Sequence, residues 1–185
     1  MHPVRKLRSR SQGFHTWDEI ECAQYEAKHL IGTRARLAFD LLLYTAQRRS
    51  DIVRMGRQHL KDGRIAVVQD KTGRPLSLPV HERLQRSIDA TPSDHLTFLT
   101  TVKGNGFSPS GFGNYFKDCC NEAGLPDHCA AHGIRKLATT RLANAGVTTN
   151  QIAAVTGHAT LSEVARYTRA SNQESLADEA MKKIK

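Results

Sequence analysis

The chain reads as helical almost throughout, and its periodicity breaks most clearly at one place. Near residue 64 the three-to-four spacing of apolar positions gives way to RIAVVQ, a turn at DKTGRP, and then LSLPV. Short apolar runs flanking a Gly- and Pro-containing turn read as a β-hairpin. That one interruption predicts a mainly α domain with a small antiparallel β-sheet, an α+β architecture.

Around the hairpin, start and stop signals divide the helices. Thr16-Trp17-Asp18-Glu19 fits a T-x-x-E capping box and predicts a helix to about Leu30, ending near Ile31-Gly32. A second helix is expected from Thr33, with Leu37, Leu41 and Tyr44 on one face and the segment Arg48 to Met55 continuing as helix. After the hairpin come a helix around ERLQRSID and a short strand near LTFL. Next are a helix opened by Ser108 and closed by Gly124, and another over AHGIRKLATTRLANAG that ends at Gly146. Thr148 and Gln151 form a further capping box, and one or two terminal helices follow.

A length of 185 residues suits one sizeable domain, expected over 16–185, with residues 1–15 as a basic arm or linker remnant. Arg5, Lys6, Arg8 and Arg10 of that arm are placed to lie along a phosphate backbone; a solvated tail is the plainer reading. The 27 Lys and Arg against 18 Asp and Glu leave a formal charge of +9. Such an excess favours polyanions, because neutralising phosphates releases condensed counterions. Nucleic acid is therefore the leading partner class, ahead of an anionic membrane surface. No apolar run approaches the roughly 20 residues needed to cross a bilayer, so no membrane partner is expected. Adjacent Cys119 and Cys120 are a poor start for a disulfide framework and point to a reducing cytosol. A zinc set from Cys119, Cys120, His128, Cys129 and His132 lacks a C-x-x-C pair, so neither a metal nor a cofactor is expected.

Four places carry candidate chemistry. His132 and Arg135, three apart on a predicted helix, share a face suited to a phosphate; taken alone they read by default as a surface coincidence. Arg48 and Arg49 sit in an apolar helical stretch where only one easily faces inward, and a buried arginine needs an anion or a carboxylate. Asp51, three residues after Arg48, is positioned to hold it, or to form a merely structural pair. Lys71 at the hairpin tip reaches a phosphate or leaving oxygen without burial, or is simply a solvated turn residue. His158 follows Gly157 at a helix end, and Tyr167 lies nine residues on. A free phenol has a pKa near 10 and needs cations or a base to act as a nucleophile.

Taken in order, these residues resemble the tyrosine recombinase family, the phage-integrase type of site-specific DNA recombinase. TAQRRSD is similar to that family's first arginine box, KTG to its hairpin lysine, and HGIRK…LANAGVTTNQIAAVTGHATLSEVARYT to its second box. Ala46 stands where the family usually has glycine, and reads as a helix-compatible change. The resemblance runs from about Gly13 to Lys185 and implies a tyrosine recombinase catalytic-domain fold, with no N-terminal core-binding domain in this chain.

For activity, the resemblance implies cleavage and rejoining of double-stranded DNA through a 3′-phosphotyrosyl intermediate, without metal or cofactor. Tyr167 would be the nucleophile, Arg48 and Arg135 the phosphate clamp, and Lys71 the general acid. His132 would assist proton transfer, His158 would hydrogen-bond the phosphate, and Asp51 would support Arg48. It further implies a homo-tetramer on DNA that exchanges segment 171–185 between protomers, a monomer without DNA, and a cytoplasmic bacterial or phage-encoded integrase. The competing readings are a DNA-binding module without activity and a type IB topoisomerase-like relaxing enzyme.

Overall fold

The computed structural model describes residues 14–91, 93–168 and 173–182; all but the last two residues of the expected basic arm lie outside them. Nine helices and one three-stranded sheet are seen among the described residues. Helix α1 (Glu19–Lys28) starts two residues later than the T-x-x-E pattern implies. Asp18 is its cap: its Oδ1 accepts from Glu21 N at 2.8 Å, while Asp18 N donates to Glu21 Oε2 at 2.9 Å. Overlapping T-x-x-E and D-x-x-E patterns compete here. Burial of Trp17, whose Nε1 donates to Ala130 O at 3.1 Å, holds Thr16 and Trp17 outside the helix.

Helix α2 (Arg34–Thr45) is the central element, capped by Thr33, whose hydroxyl accepts from Arg36 N. The sequence pattern assigns it one apolar face, yet Leu37, Ala38, Phe39, Leu41 and Leu42 are all buried. It is covered on several sides, packing on α4 (Glu82–Ala90), α5 (Pro109–Glu122) and α6 (Ala131–Asn144). Its one interior carboxylate, Asp40, is satisfied by Arg36 Nε at 3.1 and 3.2 Å and by the Ser87 hydroxyl. Trp17, Tyr25, Phe39 and Phe116 stack in the core beside it, with centroids 5.1–6.1 Å apart, typical of favourable ring pairs.

The helix expected to continue through Met55 is interrupted. Ala46 adopts φ 52°, ψ 26°, the left-handed region, and only Arg49–Ile52 resumes as the short helix α3. Alanine there costs about 1–2 kcal/mol of backbone strain. The position is not helix-compatible, and it explains why a glycine suits it. Replacing the alanine by glycine relieves that strain and loses about 0.8 kcal/mol of buried methyl. Ala46→Gly is therefore expected to leave stability unchanged or raise it by up to about 1 kcal/mol. The same change inside a helix costs about 1 kcal/mol, so a lowered denaturant midpoint at constant slope would contradict the left-handed assignment.

After a single 3-10 turn at Arg57–His59, strands β1 (Leu60–Lys61), β2 (Arg64–Val68) and β3 (Pro75–Pro79) form an antiparallel sheet in that order. The register pairs Arg64 with Pro79 and Val68 with Pro75. Both prolines sit on the edge strand, where a missing N–H is tolerated. The expected strand near LTFL is absent: its only ladder-like contact is the Thr100–Gly106 bridge just beyond it. Phe98 and Leu99 are buried, and Phe98 N donates to Met55 O at 2.8 Å. That apolar run is a core-facing loop.

The C-terminal part has its own small core. Ala143 of α6, Ile152 and Ala153 of α7 (Thr149–Thr156) and Val164 of α8 (Leu161–Thr168) cluster separately from the main one. Thr148 and Gln151 form the expected capping box at the start of α7, and Gly157 ends it at φ 70°. Helix α9 (Gln173–Lys182) follows.

Candidate functional site

Five of the candidate residues converge. Arg48, Lys71, His132, Arg135 and His158 line one cavity of about 200 Å³, together with Lys136 and Glu163. They arrive from the α2–α3 junction, the hairpin tip, α6, and the corner after α7. A larger cavity of about 450 Å³ shares Arg48, His132 and Arg135 and adds Arg49. Tyr167 lies in α8, near the C-terminal end of that helix; its side chain is outside the described residues.

Arg135 is the most deeply set. It is 4% exposed, donating from Nη1 to Ala46 O at 2.6 Å and from Nη2 to Thr156 O at 2.8 Å. The left-handed turn at Ala46 and the end of α7 together aim two carbonyls at one guanidinium, which fixes its plane. Arg48 faces the same cavity, half-buried, and its Nη1 is buried with no hydrogen-bond partner among the described residues. A buried, unpaired guanidinium nitrogen is costly and calls for an anion. Arg49 is exposed, so one of the two adjacent arginines faces inward as expected, although Arg48 precedes α3 rather than lying in a helix.

Asp51 acts through main chain rather than through the Arg48 guanidinium. Its buried carboxylate accepts from Arg48 N at 3.2 Å and from Asp70 N at 2.8 Å. One side chain thereby ties the arginine's backbone to the hairpin tip beside Lys71. Lys71 itself is exposed, in a turn closed by Gly73 N donating to Gln69 O at 2.8 Å.

His158 accepts no freedom at its ring. Nδ1 lies 2.6 Å from the Thr156 hydroxyl, which donates its own proton to Ile152 O at 2.8 Å. Nδ1–H is therefore assigned as the donor, leaving Nε2, 3.5 Å from Arg135 Nη2, with its lone pair toward the cavity. Burial and then the Arg135 charge push the His158 pKa from 6.5 down to about 4. His132 is lowered too, by burial and the charges of Arg135, Lys136, Arg48 and Arg49. Between pH 6.5 and about 4 the folded protein thus binds fewer protons than the unfolded chain, so stability rises with pH across that window and is lost on acidification. His158→Asn is expected to flatten this slope; denaturant midpoints followed through the window check it, and an unchanged slope refutes the assignment.

A polar network that the sequence reading did not single out braces these parts. Gln69 Nε2 donates to Gln47 Oε1 at 2.6 Å and to Thr156 O at 2.9 Å. Gln47 Nε2 donates to Thr45 O at 2.8 Å and Val155 O at 2.9 Å. Arg74 Nη1 donates to His158 O at 2.9 Å. The hairpin, the α2–α3 junction and the end of α7 are thus bound into one frame. A Cβ on Gly157 would come within 2.4–2.6 Å of the Gln69 amide, so glycine is required there by space as well as by φ. The alternation of β2 does carry a signal for Gln69, placing it inward with Ile65 and Val67.

Helices around a three-stranded sheet make an α+β domain with one cavity lined by two arginines, two lysines, two histidines and a glutamate. The profile of the phage integrase family matches residues 17–174, and the chain belongs to that family. It is 29% identical over 114 residues to the integrase of Escherichia phage HK022, matching 56% of this chain and 31% of that protein. It is 30% identical over 146 residues to tyrosine recombinase XerC of Rhodospirillum centenum (strain ATCC 51521 / SW), matching 75% of this chain and 43% of the relative. The chain thus spans less than half the length of these curated relatives. Lambda integrase shares the fold. Its residues 75–356, solved as a dimer bound to a COC′ core site, superpose with a TM-score of 0.73 at 20% identity, covering 88% of this chain and 62% of that one. Its tetramer on a Holliday junction gives 0.69 at 23% identity, covering 83% and 50%.

Proposed function

We propose that the chain is the catalytic domain of a site-specific recombinase that cleaves and rejoins double-stranded DNA through a 3′-phosphotyrosyl intermediate. The observation that carries this is the convergence of Arg48, Lys71, His132, Arg135 and His158 on one cavity, with a buried Arg48 nitrogen that lacks a partner among the described residues. A phosphodiester supplies the anion that nitrogen needs.

In this reading the Tyr167 oxygen attacks phosphorus and the P–O5′ bond breaks. The phenol proton leaves through His132, and Lys71 gives a proton to the departing 5′ oxygen. Arg48 and Arg135 grip the non-bridging oxygens and offset charge as it builds on the phosphorane, usually the largest catalytic effect. His158 donates to the phosphate only once Nε2 is protonated. The incoming anion counters the arginine field that depresses its pKa, so binding favours proton uptake there. Asp51 keeps Arg48 and the hairpin in register. Bond energy is conserved in the phosphotyrosyl link, so no ATP is needed, and in this reading Arg48, Arg135 and Lys71 supply the charge stabilisation that a metal would otherwise give.

The test is covalent trapping on nicked duplexes from the source genome, with no added divalent cation. A denaturation-stable adduct mapped to Tyr167 supports the reading. DNA binding without any adduct would make the chain a binding module, and supercoil relaxation by a monomer without junction formation would make it a relaxing enzyme.

Assembly belongs to the same proposal: a monomer without DNA, and on DNA a tetramer in which residues 171–185 dock on a neighbouring protomer. Most of that segment is helix α9, so it brings a preformed element. Truncation before Ser171 is expected to spare single-strand cleavage and abolish strand exchange; full recombination by the truncated chain would rule the exchange out. The proposed setting is the cytoplasm of a bacterium, in the service of a phage or genomic island. No helix among the described residues is long and apolar enough to cross a membrane.

A further inference from the structure

Away from the cation-lined cavity, a second cluster of coordinating side chains sits where the start of the domain meets the loop before α6. His15 Nε2 lies 2.9 and 2.8 Å from the two oxygens of Glu21. From the facing loop, Cys129 Sγ donates to Glu21 Oε1 at 3.3 Å, and His128 Nε2 lies 3.4 Å from the same oxygen. All four ligand atoms are within 4.8 Å of one another. Tetrahedral zinc, with bonds of about 2.0–2.3 Å, sets its ligand atoms roughly 3.3–3.8 Å apart, so the His15–Glu21 pair would open slightly and the widest pairs close to form the set.

We propose that His15, Glu21, His128 and Cys129 form a structural zinc site that pins residues 15–18 to the loop ahead of α6. Two imidazoles, a thiolate and a carboxylate suit a borderline-soft divalent ion. The sequence-based zinc set shared only His128 and Cys129 with this one. Its other members are dispersed: Cys119 and Cys120 are buried in the core, and His132 lines the phosphate-sized cavity.

The surroundings are built for the site. Glu21 Oε2 accepts from Asp18 N at 2.9 Å, which orients the carboxylate with Oε1 toward the loop. Trp17 Nε1 donates to Ala130 O, the residue after Cys129, so the two backbone segments are already tied. A Cβ on Gly133 would come within 2.4 Å of His15 O and 2.7 Å of Trp17, so glycine there admits the chain to this position. Glu21 and Cys129 are buried while His128 is exposed, leaving an approach from solvent. Binding releases the Cys129 thiol proton, and the thiolate replaces its hydrogen bond to Glu21 with a bond to the metal. Because α6 begins at Ala131, the ion would fix the end of the helix that carries His132 and Arg135 without entering their cavity.

The full chain, stripped with a chelator, is titrated with cobalt(II) and then with zinc. One cobalt per chain is expected, with tetrahedral absorption bands and a thiolate-to-metal charge-transfer band, displaced by zinc. Zinc at about a hundredfold excess over its Kd is expected to raise Tm by roughly 5–10 °C. Cys129→Ser should lose the charge-transfer band. His128→Ala, a change at an exposed position that leaves the core alone, should weaken binding by more than about tenfold, since even loss of an outer-shell partner costs about 10–100-fold. Absence of the tetrahedral spectrum, an unchanged Tm in zinc, or a spectrum that survives both substitutions overturns the site.

Discussion

Tyr167→Phe is expected to bind DNA with near-normal affinity and to form no covalent adduct. The substitution removes one oxygen. Affinity for duplex DNA comes mainly from the basic residues that neutralise phosphates, and these are untouched. In the proposed mechanism the cations about the cavity stabilise a phenolate, which phenylalanine cannot supply. Loss of a covalent nucleophile costs on the order of 10⁶-fold in rate, which puts cleavage below detection. Trapping on nicked duplex, with a filter-binding measurement alongside, separates the two properties. An adduct in the variant would move the nucleophile elsewhere in the chain, and a matching collapse of binding would mean that Tyr167 is structural.

The second large effect is expected at Arg135, and it is double. In the proposed mechanism Arg135→Ala removes a donor to the reacting phosphate, worth about 10²–10³ in cleavage rate. It also leaves the Ala46 and Thr156 carbonyls without their guanidinium. A buried acceptor stripped of its partner costs about 1–3 kcal/mol. Thr156 O keeps the Gln69 amide, so the Ala46 carbonyl carries most of that penalty. Arg135→Lys should recover part of the stability but little of the rate, since an ammonium does not span both carbonyls and a phosphate in one plane. Cleavage rate and denaturant midpoint, measured on both variants, distinguish the roles. Wild-type cleavage in either variant would remove Arg135 from the clamp.

Legibility of the fold varied with the locality of the signal. The hairpin, the Thr33, Ser108 and Thr148 caps and the Gly146 and Gly157 stops were written in neighbouring residues, and the structure has them. Ala46 was not legible. Alanine is the best helix former, and its left-handed turn becomes intelligible only beside Arg135, 89 residues away, bonded to its carbonyl. The Phe98–Leu99 segment was misread because burial of an apolar run looks alike whether a ladder or a loop does the burying. At the site, the spacing of His132 and Arg135 placed them together on α6. The i, i+3 spacing of Arg48 and Asp51 suggested an ion pair, where the structure has a carboxylate holding two main-chain amides. Gln47 had no local signal for its role, because apart from neighbouring Thr45 its partners are Gln69 on the hairpin and Val155 in α7.

The separate small core beneath α8 has a dynamic consequence. Val164 is the buried apolar anchor of that helix among the described residues, and a side chain of its size contributes about 1.5–3 kcal/mol when buried. Whole domains are held by about 5–15 kcal/mol. Opening of α8 alone is therefore expected to cost less than global unfolding, and a hydrogen-exchange measurement is expected to find its amide hydrogens exchanging before those of α2. In the proposed mechanism a DNA strand joined to Tyr167 would be tethered to a helix whose opening leaves the aromatic core intact.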